Sequence, residues 1–274
     1  MNKIYTSKSR KVQLQITKIF ILIQLLSYFT FIYFDFSNLN GNISNLIKYF
    51  TILLCLIFVL IPRKESGGSA VDHRLLKLAF LFTFISDYFL LFTEEIIPGL
   101  VTFIIVQVLY LLRIYRWKLD FNLINKSKII LPMYFLRNLF AGMILLLVLS
   151  LLSVKLELTI VLATFYFLSL LLNCFDLLRI SFVIKTPQLR LFLIGLLMFL
   201  LCDINVGIFN MQQFIANPLV KYEKIYSIAS VAMWIFYLPS QVFIALSKVK
   251  LNKFLKKILY NKEEECLVNS NNIC

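Results

Sequence analysis

The stretch LFAGMILLLVLSLL, residues 139–152, carries no charge and a single hydroxyl, Ser150. Extended back to Ile129 it reaches the ~20 residues that a helix needs to cross hydrocarbon, where every backbone polar group must be satisfied inside the segment. The same reading works outward along the chain. Apolar runs recur at Leu14–Phe34, Leu46–Ile61, Leu75–Phe92, Pro98–Tyr115, Ile129–Leu152, Leu156–Ile180, Leu191–Phe209 and Ile225–Leu246. With 60% hydrophobic residues over 274 positions and only 7 Gly, a soluble globular domain is excluded. The predicted class is all-α: a polytopic membrane domain of eight transmembrane helices over 14–246, a short segment 1–13 before it and a basic tail 247–274 after it. The second helix is the shortest, and Lys48 near its start is expected to snorkel toward headgroups.

The net charge of +14 is sorted along the chain rather than spread over it. Lys3, Lys8, Arg10 and Lys11 precede the first run, and Arg63, Lys64, Arg74 and Lys77 follow the second. Arg113, Arg116, Lys118, Lys126 and Lys128 follow the fourth, Arg179, Lys185 and Arg190 the sixth, and Lys248, Lys250, Lys253, Lys256 and Lys257 the last. The alternate connections hold few, Lys155, Lys221 and Lys224 among them. Basic residues collect in cytoplasmic loops, so both termini are expected in the cytoplasm, and the positive charge reads as topology rather than as a nucleic-acid surface. Richness in Lys, Asn and Ile suggests a bacterial cytoplasmic membrane as the site. The first apolar run is too long for a cleavable signal and is expected to remain as a helix.

Cys55, Cys174, Cys202, Cys266 and Cys274 show no paired spacing, which argues for apolar fillers rather than a disulfide framework. The single histidine, His73, is placed in a loop at 62–77 whose Gly- and Ser-containing part reads as a flexible linker, so a catalytic metal is not expected. In the tail, Leu251, Phe254, Leu255, Ile258 and Leu259 recur at helical spacing between lysines, as in a helix lying on an anionic leaflet. A short echo between the sequences leading to Asp87 and to Asp203 hints at two parallel halves.

Polar groups inside the apolar runs are the sites where chemistry is expected. Asp87 lies ten residues beyond Lys77 and Asp203 thirteen beyond Arg190, depths of ~15 and ~20 Å at 1.5 Å per residue. Intramembrane carboxylates are expensive and mark function by default, whereas Ser, Thr, Gln and Tyr more often tie helices together. Gln107, Tyr110, Tyr237 and Gln241 fall at comparable depth, and so does Arg137, which as counter-ion of either aspartate would make the pair structural. Asp176 is paired with Arg179 as a surface helix couple, and Asp35, Glu94 and Glu95 are placed at hydrated outer helix ends. Lys48 is a candidate partner for a phosphate.

Four segments taken in order resemble the YhhN-type lysoplasmalogenase family of eight-helix membrane proteins. FISDYFLL at 84–91 is similar to its Ser-Leu-Leu-Gly-Asp-x-x-Leu-Leu helix, and FIIVQVLY at 103–110 to its Phe-x-x-x-His-x-x-Tyr. GLLMFLLCD at 195–203 looks like Gly-Ala-x-x-Phe-x-x-Ser-Asp, and YLPSQ at 237–241 like the closing Tyr-x-x-x-Gln. The departures are Ser86 for Gly, Gln107 for His, Cys202 for Ser, and Tyr49 where Pro follows the family lysine. Gln107 cannot exchange a proton as imidazole does. The resemblance implies hydrolysis of the vinyl ether of a lysophospholipid without cofactor, with Asp87 and Asp203 dividing the acid and carboxylate roles. Tyr110, Gln107, Tyr237 and Gln241 would orient glycerol or water. Two other classes stay open at this stage: a proton-coupled carrier, and a non-catalytic membrane protein with a structural Asp/Arg network.

Overall fold

A computed structural model describes residues 2–37, 41–62, 69–93, 95–124, 129–151, 155–210 and 223–249, with side chains from Val12 onward. Its described residues form eight α-helices and no strand: α1 (Asn2–Phe36), α2 (Gly41–Leu60), α3 (Ala70–Tyr88), α4 (Ile96–Asp120), α5 (Ile130–Leu151), α6 (Leu158–Val183), α7 (Pro187–Asn210) and α8 (Glu223–Leu246). All eight are long and apolar enough to cross a membrane, the constitution of a multi-pass integral membrane protein. A π-helical turn, Phe89–Thr93, prolongs α3. The predicted linker over 63–68, Glu94, and the amphipathic tail from residue 250 lie outside the described residues.

Boundaries differ from the apolar runs because polar residues cap or join the helices. Ser69 accepts a hydrogen bond from the Asp72 N–H at 3.2 Å, which starts α3 at Ala70 and brings His73 into the helix instead of the expected loop. Pro187, with φ preset and no N–H to satisfy, opens α7. α4 runs on past Tyr115 to Asp120, so Arg113 and Lys118, read from sequence as loop charges, are helix residues inside the bundle.

α7 with α8 and α3 with α4 are the most intimate neighbours, while α5 packs chiefly on α6 and is otherwise peripheral. The α7–α8 approach depends on Gly195: a Cβ there would sit 2.9 Å from the Ser240 carbonyl oxygen and 3.0 Å from the Ile244 nitrogen. Small residues at such crossings let backbones come close where no hydrophobic effect drives association. Across the crossing, Pro239 interrupts α8; lacking an N–H, it leaves the carbonyl of Ile235, four residues back, without its helical donor. The Tyr28 hydroxyl of α1 donates to that oxygen at 3.2 Å and so ties α1 to the kink.

Charged groups mark the two ends of the bundle. At one end Arg113 is only 1% exposed; its Nε sits 2.7 Å from Asp72 Oδ1, its Nη1 donates to Ser247 at 2.9 Å, and its guanidinium lies between the rings of Trp117 and Phe192, at 4.6 and 4.4 Å. Lys248, assigned from sequence to the tail, is buried here and donates to the carbonyls of Val59 and Ile61, each at 2.6 Å. These bonds close the last turn of α2, whose carbonyls have no helical partner. Asp176 also sits at this end, buried rather than on the surface: Lys118 Nζ is 3.0 Å from its Oδ1 and Arg137 Nη1 2.8 Å from its Oδ2. The expected Asp176–Arg179 couple is replaced because α4 and α5 supply both cations. Arg179 turns to the Phe175 ring instead.

Removing one partner of a buried pair strands the other charge. Arg113→Ala is therefore expected to cost about 3–5 kcal/mol in a reversible detergent unfolding assay. Gly195→Ala is expected to lose about 1–3 kcal/mol through the α7–α8 crossing. Either variant unfolding with wild-type stability would contradict these assignments.

Candidate functional site

The opposite half of the bundle holds the intramembrane carboxylates. Asp87, 3% exposed, sits on the last turn of α3, immediately before the π-helical turn. Such turns are frequent at functional sites because they rotate the following side chains out of α register. Ser86 anchors that turn by donating to the Gly99 carbonyl of α4 at 2.7 Å, and Gly99 leaves room for Leu90, whose Cδ2 would be 2.7 Å from a Cβ there. From α8 the Tyr237 hydroxyl donates to the Asp87 carboxylate, equidistant at 2.7 Å from both oxygens.

Asp203 approaches from α7, half-buried, with the Tyr166 hydroxyl of α6 turned toward it. Its Oδ2 is buried and has no hydrogen-bond partner. Phe199 of α7, four residues before Asp203, lies between the ring of Tyr237, which binds Asp87, and that of Tyr166. It is 5.5 Å from Tyr237 and 6.5 Å from Tyr166, and Phe103 is 5.5 Å from Tyr166. Such rings make a low-dielectric surrounding, in which electrostatic effects are strong.

The remaining candidates divide between this interior and other places. Tyr110, fully buried, comes within electrostatic reach of Asp87, and its hydroxyl lies beside that of Thr83 without hydrogen-bond geometry. Gln107 is held by Asn173 of α6, whose Nδ2 donates to its Oε1 at 3.1 Å and its backbone oxygen at 3.0 Å, leaving Gln107 Nε2 buried with no acceptor. Gln241, one turn beyond Tyr237, has an equally orphaned Oε1, its Nε2 reaching only Ser240 at 3.4 Å. Buried polar atoms without partners are rare enough to point to a ligand or water.

Arg137 is not part of the site: its ion pair with Asp176 takes it to the other end, so it is the counter-ion of neither Asp87 nor Asp203. Lys48 does not snorkel. It is 5% exposed, lies 2.8 Å from Asp35, and faces the Trp234 ring at 4.6 Å. Asp35, expected to be hydrated, is held by this lysine and by Ser44, which donates to it at 2.5 Å. Trp234, which Lys48 faces, lies about one helical turn before Tyr237, the residue that binds Asp87.

Sequence reasoning missed Asn173, Tyr166, Thr83 and Tyr49. Asn173 was visible, a lone amide in LLLNCFDLL. The tyrosines were not, since 13 are spread over the chain and only packing selects those near Asp87 and Asp203. Among the described residues no cluster of three His, Cys, Asp or Glu side chains comes together that could hold a metal ion.

The chain matches the YhhN family over residues 43–248, from the first turn of α2 to the end of α8, a range that holds Lys48, Asp87, Gln107, Tyr110, Asp203, Tyr237 and Gln241 but not Asp35. It belongs to that family. No curated protein and no solved structure is detectably similar to it.

The Asp87–Tyr237 bond predicts energetic coupling. In a double-mutant cycle of Asp87→Ala and Tyr237→Phe, an interaction energy of about 0.5–3 kcal/mol is expected in unfolding experiments. Additive effects would show that the bond is not made.

Proposed function

We propose that this YhhN-family protein is a membrane hydrolase that cleaves the vinyl ether of a lysoplasmalogen, releasing a fatty aldehyde and a glycerophospho-alcohol. The observation that supports it most is a set of two unlike intramembrane carboxylates: Asp87 bound through both oxygens by Tyr237, and Asp203 with an orphaned oxygen.

A vinyl ether, R–O–CH=CH–R′, needs no nucleophilic attack on an intact bond. Protonation of its outer vinyl carbon gives the oxocarbenium ion R–O⁺=CH–CH2–R′. Water adds to the cationic carbon and gives up a proton, and the hemiacetal then breaks its C–O bond to yield R–OH and the aldehyde R′–CH2–CHO. The proton lost by water balances the one delivered to carbon. The chemistry calls for one carboxylic acid to protonate carbon and one carboxylate to stabilise the cation and receive a proton from water. Asp203 is assigned the acid, because its free oxygen has no competing hydrogen bond. Asp87 is assigned the carboxylate, because the Tyr237 hydroxyl, within hydrogen-bond distance of both its oxygens, can stabilise the anionic form. Gln107 Nε2 and Gln241 Oε1 are left to position water or the glycerol hydroxyl, and Tyr110 stands beside them. Gln107, where related sequences place histidine, serves in this scheme only as a hydrogen-bonding group, so the proton steps rest on the aspartates.

Lys48 is assigned to the phosphate. Its contact with Trp234, about one helical turn from Tyr237, suits the short distance between the glycerophosphate and the sn-1 vinyl ether. The face that carries Arg113, Lys118 and Lys248 is assigned to the cytoplasm, and the membrane to the cytoplasmic membrane of a bacterium. The structural alternative loses its cation, since Arg137 is bound to Asp176.

Purified protein in detergent is expected to release fatty aldehyde from lysoplasmenyl phospholipid, and Asp87→Asn and Asp203→Asn each to lower the rate by about 10²–10⁴-fold with folding retained. Folded wild-type protein that releases none, or two active variants, would refute the assignment.

A further inference from the structure

A groove of about 550 Å³ runs between α1 and α2 on the lipid-facing side of the bundle. Its walls come from Ile23, Ser27 and Thr30 on α1 and from Leu46, Tyr49 and Leu53 on α2, at intervals of three and four residues that keep each set on one helix face. The volume lies within the ~300–1,000 Å³ typical of small-molecule sites, whereas ordinary helix packing leaves few voids larger than a water.

Two features connect this groove to the carboxylate interior. Tyr49 lines it, stacks on Phe84 of α3 at 4.6 Å, meets Phe92 edge-on at 5.1 Å, and lies within electrostatic reach of Asp87. Deeper between the same helices, Gln24 Nε2 donates to the Thr51 carbonyl at 2.9 Å and to Cys55 Sγ at 3.4 Å, and Cys55 is again within reach of Asp87. The apolar groove thus ends against the Tyr49 ring, which stacks on Phe84, three residues before Asp87 on the same helix.

We propose that the α1–α2 groove is the lateral port for the hydrocarbon chain of a single-chain phospholipid, and that the Tyr49 ring is the partition between port and site. The proposal rests on the lipid-hydrolase reading and names its route of access. A chain lying in the groove stays in hydrocarbon throughout, and rotation of one side chain admits its polar end toward Asp87. The groove is a single hollow between two helices, and one hydrocarbon chain is assigned to it.

The test uses full-length protein in lipid nanodiscs and an alkyl-ether lysophospholipid with a diazirine in its tail. It has no vinyl ether, so labelling does not depend on catalysis. Photolabelling is expected to concentrate on residues 23–30 and 43–53, to fall about tenfold in Ser27→Trp and Leu46→Trp, and to persist in Leu147→Trp on α5 and in Asp87→Asn. In the aldehyde assay the two groove-filling variants are expected to raise KM with kcat little changed, and Tyr49→Ala to relax chain-length preference. Label spread evenly over α5 and the other lipid-facing helices, or undiminished in Leu46→Trp, would overturn the port. If label maps to the groove while wild-type protein releases no aldehyde, the groove stands and the hydrolase reading falls.

Discussion

The hydrogen bond from Tyr237 to both oxygens of Asp87, 2.7 Å long, is the contact around which the rest of the interior is arranged. It joins α3 and α8, helices that share little other packing surface. Each partner is prepared from a distance. Asp87 is aimed by the π-helical turn that follows it and by the Ser86–Gly99 bond to α4. Tyr237 is aimed by the Pro239 kink, whose orphaned carbonyl Tyr28 satisfies, and by the close α7–α8 crossing at Gly195. A buried carboxylate in hydrocarbon is tolerated only when its surroundings over-determine it, and these devices do so from four helices.

Charge is organised in three levels along the bundle. Arg113, Asp72 and Lys248 at one end, with Lys118, Arg137 and Asp176 beside them, are neutralised in pairs and stitched to helix ends, a structural role. Lys48 and Asp35 form a single pair near the other end. Between them lie Asp87 and Asp203, with no cation assigned to either. A cation beside Asp87 would lock it as half of a salt bridge, and Arg137, the one cation that sequence placed at similar depth, is taken by Asp176 instead.

The fold was legible because hydrophobic length alone fixes a membrane helix, and the eight apolar runs each correspond to one of α1 to α8. Their ends were not, because apolar length says nothing of Ser69 as a cap or of Arg113 and Lys118 continuing α4 into buried pairs. The candidate site was legible in part. Asp87, Asp203 and Tyr237 stood out as polar letters in apolar words, and the structure joins Asp87 to Tyr237 by a hydrogen bond. Arg137 and Lys48 were misplaced for a common reason: depth along a helix was readable but rotation about it was not, and rotation decides which neighbour a long cationic side chain meets. Tyr49, Tyr166 and Asn173 belong to the same class of information, carried by packing rather than by spacing.

Isotope tracing of the products tests the carboxylate chemistry most directly. Turnover of lysoplasmenyl phospholipid in deuterated, ¹⁸O-enriched water should give aldehyde with one solvent deuterium at the carbon next to the carbonyl, and a glycerophospho-alcohol that keeps its original oxygen. Solvent ¹⁸O in the glycerophospho-alcohol, or aldehyde formed without that deuterium, would contradict protonation of the vinyl carbon between Asp87 and Asp203.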